Sequence, residues 1–225
     1  MKRKKRTRRD TKEITQLVTN NVEELRMIRT NLGFVDKDIH TMMLTSYSPA
    51  EGKSTLIACM AEIFAQQDKK ILVIDADFRR PTQYKKFGLS NENGLSLLLQ
   101  SQEEAKWGNY VLDTFFENVY LLPAGPLPPN PTDLIEKEAF HNLLENAKEI
   151  FDMVLIDAPP AGIADTKILA SKVDGVVIVV EDNRIRRQQF KNTITVMEES
   201  EAKILGVIIN KAKQNKKDGN YYYNY

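Results

Sequence analysis

A single cysteine, Cys59, stands in 225 residues. No internal disulfide can form, and the chain reads as a reduced, cytosolic protein. Cys59 falls among apolar residues, where a buried structural thiol is expected rather than a reactive one. Long hydrophobic runs are also missing, and no stretch approaches the ~20 apolar residues of a membrane span. The N-terminus carries charge but no apolar segment behind it, so it does not read as a secretory signal. The two histidines, His40 and His141, have no partners at ligand spacing, so no zinc site is read. Neither a repeat period nor an internal domain linker is visible.

Net charge is nearly absent too, at +1, but it is unevenly spread. Residues 2–9 hold seven Lys and Arg, and the remaining chain is net −6, 25 basic residues against 31 acidic. The body is therefore no general polyanion binder. The basic run fits attraction to an anionic inner leaflet, worth ~1 kcal/mol per residue near the surface. A merely solvating segment fits it equally well. No aromatic groove pattern accompanies the charge, and nucleic acid is not expected as a partner.

What is present suits one α/β domain with a sizeable core, since 42% of the residues are hydrophobic. Residues 1–17 read as a basic, flexible segment, 18–211 as the folded domain and 212–225 as a tail. Val18, Val22, Leu25, Ile28 and Leu32 fall on one face of a predicted helix. A strand is expected over 39–46 and a helix from Gly52 to about Asp68. Short apolar runs at 71–74, 119–122, 154–156, 176–180 and 204–209 read as buried parallel strands. Helices are expected between them over about 131–151, with Asn130 as N-cap and Pro131 at the first position, and over about 184–200. The alternation predicts a doubly wound, mostly parallel sheet, whose ligands bind beyond the carboxyl ends of the strands. The stiff 123–131 segment reads as a surface connection.

The chemistry-bearing motifs fall at those strand ends. SYSPAEGKST, residues 46–55, follows a strand and opens a helix, the context of a phosphate-binding loop. The loop of Pro49, Ala50, Glu51, Gly52, Lys53, Ser54 and Thr55 can cradle a polyphosphate, with backbone N–H donors from every one of these residues but the proline. Lys53 can reach the β- and γ-phosphates, and the Ser54 hydroxyl can ligate Mg²⁺. The first glycine of the usual pattern is missing, because Tyr47 stands there. In ILVIDADFRRP, residues 71–81, Asp75 and Asp77 share a strand face and can point at one site. In VLIDAPP, Asp157 ends another buried strand, as a metal-holding acid does. Any one such aspartate is as often a turn or cap residue, but three beside a phosphate loop favour a site. Tyr221, Tyr222, Tyr223 and Tyr225 are half of the eight tyrosines, packed into five residues.

The succession TSYSPAEGKST, LVIDADFRRPT, GPLPPNPTDLI, VLIDAPP and GVIINK resembles the bacterial tyrosine kinases of capsule and exopolysaccharide synthesis over roughly residues 20–211. The resemblance implies the P-loop architecture of the MinD/ParA-like NTPases and an ATP- and Mg²⁺-dependent protein-tyrosine kinase. It implies that Asp77 and Asp157 hold the metal's shell with Ser54, and that Asn210 contacts adenine. Asp75 is the candidate to orient or deprotonate the incoming phenol, whose pKa of ≈ 10 calls for a base. The four tail tyrosines become autophosphorylation acceptors. Glu23, Arg26 and Arg29 match the family's subunit-interface pattern, which implies a homo-oligomer that can close into a ring. Implied partners are a separate transmembrane activator, or polysaccharide co-polymerase, that holds the kinase at the inner membrane face, a cognate tyrosine phosphatase, and further protein substrates. One departure is Ala50, where the family usually has Gly. If that position needs φ > 0, alanine is strained there by ~1 kcal/mol or more. Two rival readings are a MinD/ParA-type ATPase switch without kinase activity and a non-catalytic nucleotide-binding adaptor. Ser48, in the slot of the switches' signature lysine, and the tyrosine tail speak against the first.

Overall fold

In a computed structural model, the structure describes residues 2–101 and 107–212, with side chains of the first helix from Thr11 onward. The tyrosine cluster lies outside the described residues. A seven-stranded sheet forms the middle layer. Its strands are β1 (Thr41–Ser46), β2 (Ile71–Asp75), β3 (Leu112–Asp113), β4 (Val119–Leu122), β5 (Met153–Asp157), β6 (Gly175–Glu181) and β7 (Ile204–Asn210). They lie in the order β3-β4-β2-β5-β1-β6-β7, all parallel except the short edge strand β3. β1 and β2 are buried along their whole length, as strands covered on both faces must be.

Alternate residues of each strand feed two separate cores. Met42, Leu44, Ile71 and Val73 face α1 (Lys2–Asn20), α2 (Val22–Val35), α3 (Lys53–Ala65) and α4 (Gln83–Lys86). Met43, Leu72 and Ile74 face α5 (Leu95–Leu98), α6 (Pro131–Glu136), α7 (Glu138–Lys148), α8 (Ala164–Ala170) and α9 (Arg187–Glu198). The doubly wound sheet predicted from the strand-helix alternation is thus present.

Three local expectations change. Residues 2–17, read from the sequence as a flexible segment, lie in the helix α1, and its Ile14 and Val18, one turn apart, are buried in the first of these cores. Lys and Arg favour helices, no glycine or proline interrupts the chain before Gly33, and the two apolar residues anchor the helix. The single helix predicted over 18–32 is broken at Asn21, whose side-chain amide donates to the Leu17 carbonyl instead of capping α2. The predicted 131–151 helix is two, α6 and α7, divided at Lys137, whose ψ of 147° is extended. Asn130 and Pro131 do start α6, although the Asn130 side chain makes no cap bond. In the 123–131 connection, Pro123, Ala124 and Gly125 are buried while Leu127 stays exposed.

Asp174 ties the entry of β1 to that of β6. Its Oδ2 accepts the N–H groups of His40 and Thr41 at 3.0 and 2.7 Å, and Lys148 donates to its Oδ1 at 3.1 Å. Partial burial raises its pKa, but the Thr41 N–H, Lys148 and the His40 N–H outweigh that and hold the carboxyl below its usual value. A depressed acid stabilises the fold above the unfolded pKa of about 3.9 and loses that contribution as pH falls through the lower, folded value. Asp174→Asn should therefore cost about 1 kcal/mol at pH 7, allowing for solvent screening. The gap between variant and wild type in urea melts should close below about pH 4. A gap independent of pH refutes the assignment. Ile14→Ala should cost ~2–5 kcal/mol as a buried large-to-small change, and a cost near zero would show that α1 does not pack as described.

Candidate active site

The loop 46–52 turns from β1 into α3, and its shape depends on two residues with positive φ. Gly52 has φ 94°, and a Cβ there would lie 2.1 Å from Asn210 Nδ2, so only glycine fits. Ala50 has φ 66°, the condition on which the anticipated strain rested. The loop is held from its carbonyl side. Asn210 Nδ2 donates to the Glu51 carbonyl at 2.8 Å, and Lys211 Nζ donates to the Ala50 carbonyl at 2.9 Å. Glu51 is itself buried, its carboxylate accepting N–H bonds from Ser48 at 2.7 Å and Glu181 at 3.3 Å. The N-terminus of α3 has no side-chain cap, so its first N–H groups are left for a ligand.

Three aspartates meet this helix start. Asp75 and Asp157 are register partners at the ends of adjacent strands β2 and β5, and both are fully buried. Lys53 Nζ lies 3.9 Å from Asp77 Oδ2, each side chain 8% exposed. Burial, and the nearness of the two carboxylates, push Asp75 well above the usual carboxylate range. Burial raises Asp157 as well, opposed by the Lys53 charge and by the Ser54 and Gln83 side chains beside it. The structure thus gathers Lys53, Ser54, Asp75, Asp77 and Asp157 at one end of the sheet.

Asp75 does not stand where the expected base would. Its Oδ2 accepts the N–H groups of Thr82 and Gln83, both at 2.9 Å, and its Oδ1 accepts that of Asp77 at 3.3 Å. With 0% exposure, it holds the start of α4 and offers no surface to an incoming phenol. Asp77, 6% exposed and facing Lys53, is the more accessible carboxylate.

Two participants carry no motif and are missed in the sequence. Gln83 Nε2 donates to Asp157 Oδ2 at 2.8 Å and to the Ser54 carbonyl at 3.0 Å. Asp165, 1% exposed, accepts from Thr132 at 2.6 Å and pairs with Arg79 at 3.3 Å, tying the aspartate loop to α6 and α8. Only partners distant in sequence give these residues their meaning.

A magnesium ion suits this donor set. Asp157 Oδ1 is buried without a hydrogen-bond partner, and the Ser54 side chain lies beside the Asp157 carboxyl group. No cluster of three His, Cys, Asp or Glu poised for a metal occurs among the described residues. Mg²⁺ does not need one, since it keeps several waters and takes one or two protein oxygens plus substrate phosphates. Beside the loop lies a cavity of about 600 Å³, lined by Gly52, Thr55, Asn210 and Lys211 and walled by Leu17 and Leu25 of the first two helices. That volume suits a small-molecule site. Asn210 therefore lines the cavity and braces the loop at once. Of the predicted interface residues, Glu23 and Arg26 are exposed and pair with each other at 3.2 Å. Arg29 turns inward and donates to the Ile63 carbonyl at 2.6 Å.

If Ala50 is strained, Ala50→Gly should raise stability by about 0.5–1 kcal/mol in urea melts, the left-handed cost less the added chain entropy of glycine. Equal or lower stability would show that the loop accommodates the methyl group.

Comparisons with known proteins agree with the geometry. The family model of the AAA domain matches residues 50–207. Tyrosine-protein kinase YwqD of Bacillus subtilis is 37% identical over 224 residues, covering 97% of this chain and 92% of the relative. The crystal structure of the chimerical protein CapA2B2 superposes with a TM-score of 0.81 at 34% identity, covering 85% of each chain. MinD of Pyrococcus horikoshii, at 20% identity and a TM-score of 0.65 over 79% of this chain and 72% of its own, shares the fold. The chain belongs to the bacterial tyrosine kinase family.

Proposed function

We propose that this protein-tyrosine kinase transfers the γ-phosphate of ATP to the tyrosines of its own C-terminal cluster, between subunits of a homo-oligomer, and thereby regulates capsular or exopolysaccharide synthesis and export. The observation that carries the reading is the convergence of Lys53, Ser54, Asp77 and Asp157 on the open N-terminus of α3. The loose transition state of phosphoryl transfer calls for positioning and charge neutralisation, which this arrangement supplies. The loop N–H groups and α3 hold the phosphates, and Lys53 lies where it can meet the γ-phosphate. Ser54, Asp157 and Asp77 would hold a magnesium ion and its water shell here, and the ion would supply neutralisation of the phosphate charge. Asp77, the only one of the three aspartates not wholly buried, is assigned to orient the phenol and receive its proton as the bond to phosphorus forms. Adenine is assigned to the cavity beside Asn210.

Intermolecular transfer follows from reach. Strand β7 ends at Asn210, and about 15 residues remain. If those residues formed an unstructured chain, they would span ~20 Å on average. Its return to its own site would run past Asn210, where the nucleoside lies, whereas a neighbour's tail enters freely. The exposed Glu23 and Arg26 support an interface on α2, and Arg29 contributes there by fixing α2 to α3. Among the described residues no helix is long and apolar enough to cross a membrane, so attachment to the inner face is assigned to a separate membrane activator. A cognate phosphatase resets the tail.

The test mixes two proteins, each unable to label itself. One carries Lys53→Met and an intact tail. The other has a working site with Tyr221, Tyr222, Tyr223 and Tyr225 changed to Phe. Lys53→Met alone should lower tail labelling by at least ~10³-fold, as loss of a main electrostatic element does. In the mixture, phosphate should appear on the tail of the Lys53→Met protein at a rate that rises with concentration. An unlabelled mixture, beside wild type that labels itself at a concentration-independent rate, would make transfer intramolecular. Release of free phosphate without tail labelling would favour an ATPase switch instead.

A further inference from the structure

Four buried side-chain atoms among the described residues have no hydrogen-bond partner, and three of them are Thr82 Oγ1, Gln83 Oε1 and Asp157 Oδ1. Folded proteins leave few such groups, and each calls for an ion, a water or a role. Their concentration at one site, on residues joined to each other, is not a packing accident. Gln83 is 0% exposed and opens α4. Its backbone N–H goes to Asp75, and its side-chain amide to both Asp157 Oδ2 and the Ser54 carbonyl. One residue thus joins the end of β2, the end of β5 and the first turn of α3. Both side-chain partners are acceptors, so the amide must present its nitrogen to them and its oxygen elsewhere.

We infer that Gln83 is a positioning residue for phosphoryl transfer, locking Asp157 and Ser54 in the arrangement that receives the hydrated magnesium ion of the nucleotide. The inference rests on the magnesium reading above. With Oδ2 of Asp157 bonded to the amide, Oδ1 remains to meet the ion's water shell. Gln83 Oε1 and Thr82 Oγ1 are further acceptors for those waters. Such outer partners orient metal-holding groups and set metal affinity even where they never touch the ion. An apolar side chain at 83 would strip partners from the Ser54 carbonyl and from Asp157 together. A glutamate would add a carboxylate to a site that already holds three.

The test titrates a fluorescent methylanthraniloyl-ADP onto the full chain with Mg²⁺ and again with EDTA, for wild type, Gln83→Met and Gln83→Asn. Gln83→Met should weaken binding in Mg²⁺ about tenfold and leave binding in EDTA unchanged. The Mg²⁺ concentration for half-maximal tail phosphorylation should rise by the same factor, with KM for ATP at saturating Mg²⁺ unaltered. Gln83→Asn keeps the amide on a shorter arm and should fall between Met and wild type. It decides the matter if Gln83→Met has lost its thermal transition. An equal loss with and without Mg²⁺, or no loss in either, overturns the inference. Wild type that binds equally with Mg²⁺ and with EDTA overturns the magnesium reading itself, an outcome seen without any variant.

Discussion

Three carboxylates, two of them fully buried, share one end of the sheet with the Lys53 ammonium. Like charges in so dry a place are tolerable only if each is held by hydrogen bonds, paired, or protonated. The structure uses the first two openly: Asp75 takes three backbone N–H groups, Asp157 takes the Gln83 amide, and Asp77 faces Lys53. Burial still lifts Asp75 well above its ordinary value and raises Asp157 as well. The geometry of α4, of the first turn of α3 and of the strand ends follows from the need to supply those partners.

The phosphate loop meets the complementary requirement. Its N–H groups must stay available to an anion, so its carbonyls are occupied from behind. Asn210 and Lys211, at the end of β7, take the Glu51 and Ala50 carbonyls, and Glu181 and Lys211 form a pair at 2.9 Å beside them. The half-exposed ion pairs contribute little energy alone, but they fix the direction of a loop that includes a left-handed alanine. The end of the last strand therefore shapes the loop after the first, although the two are more than 150 residues apart.

Function divides along the same lines. The face built from α1 and α2 walls the cavity beside the loop and carries the exposed Glu23 and Arg26, while the opposite helices α6 and α8 reach the aspartate loop through Asp165 and Arg79. The proposed interface on α2 and the proposed phosphate site thus lie at opposite ends of α3, which Arg29 touches near its C-terminal end and the loop enters at its N-terminal end.

By itself the sequence determined six of the seven strands, all but the two-residue edge strand β3, the sheet type, and the placing of Lys53, Ser54, Asp75, Asp77 and Asp157 at or just beyond strand ends. Buried parallel strands are continuous apolar runs, and a phosphate loop is contiguous, so both are written locally. It also carried the family, through the order of its motifs. The tertiary structure alone decided how the acids divide their work. Asp75 and Asp77 are two residues apart and look equivalent in the chain, but Asp75 faces the backbone of α4, whose position depends on packing. Gln83 and Asp165 were invisible for the same reason, since a polar side chain acquires a role only when folding brings its partners to it. The helix at residues 2–20 was misread because charge dominates its composition. Its order comes from Ile14 and Val18 meeting α3, a contact between segments that are neighbours only in the folded chain.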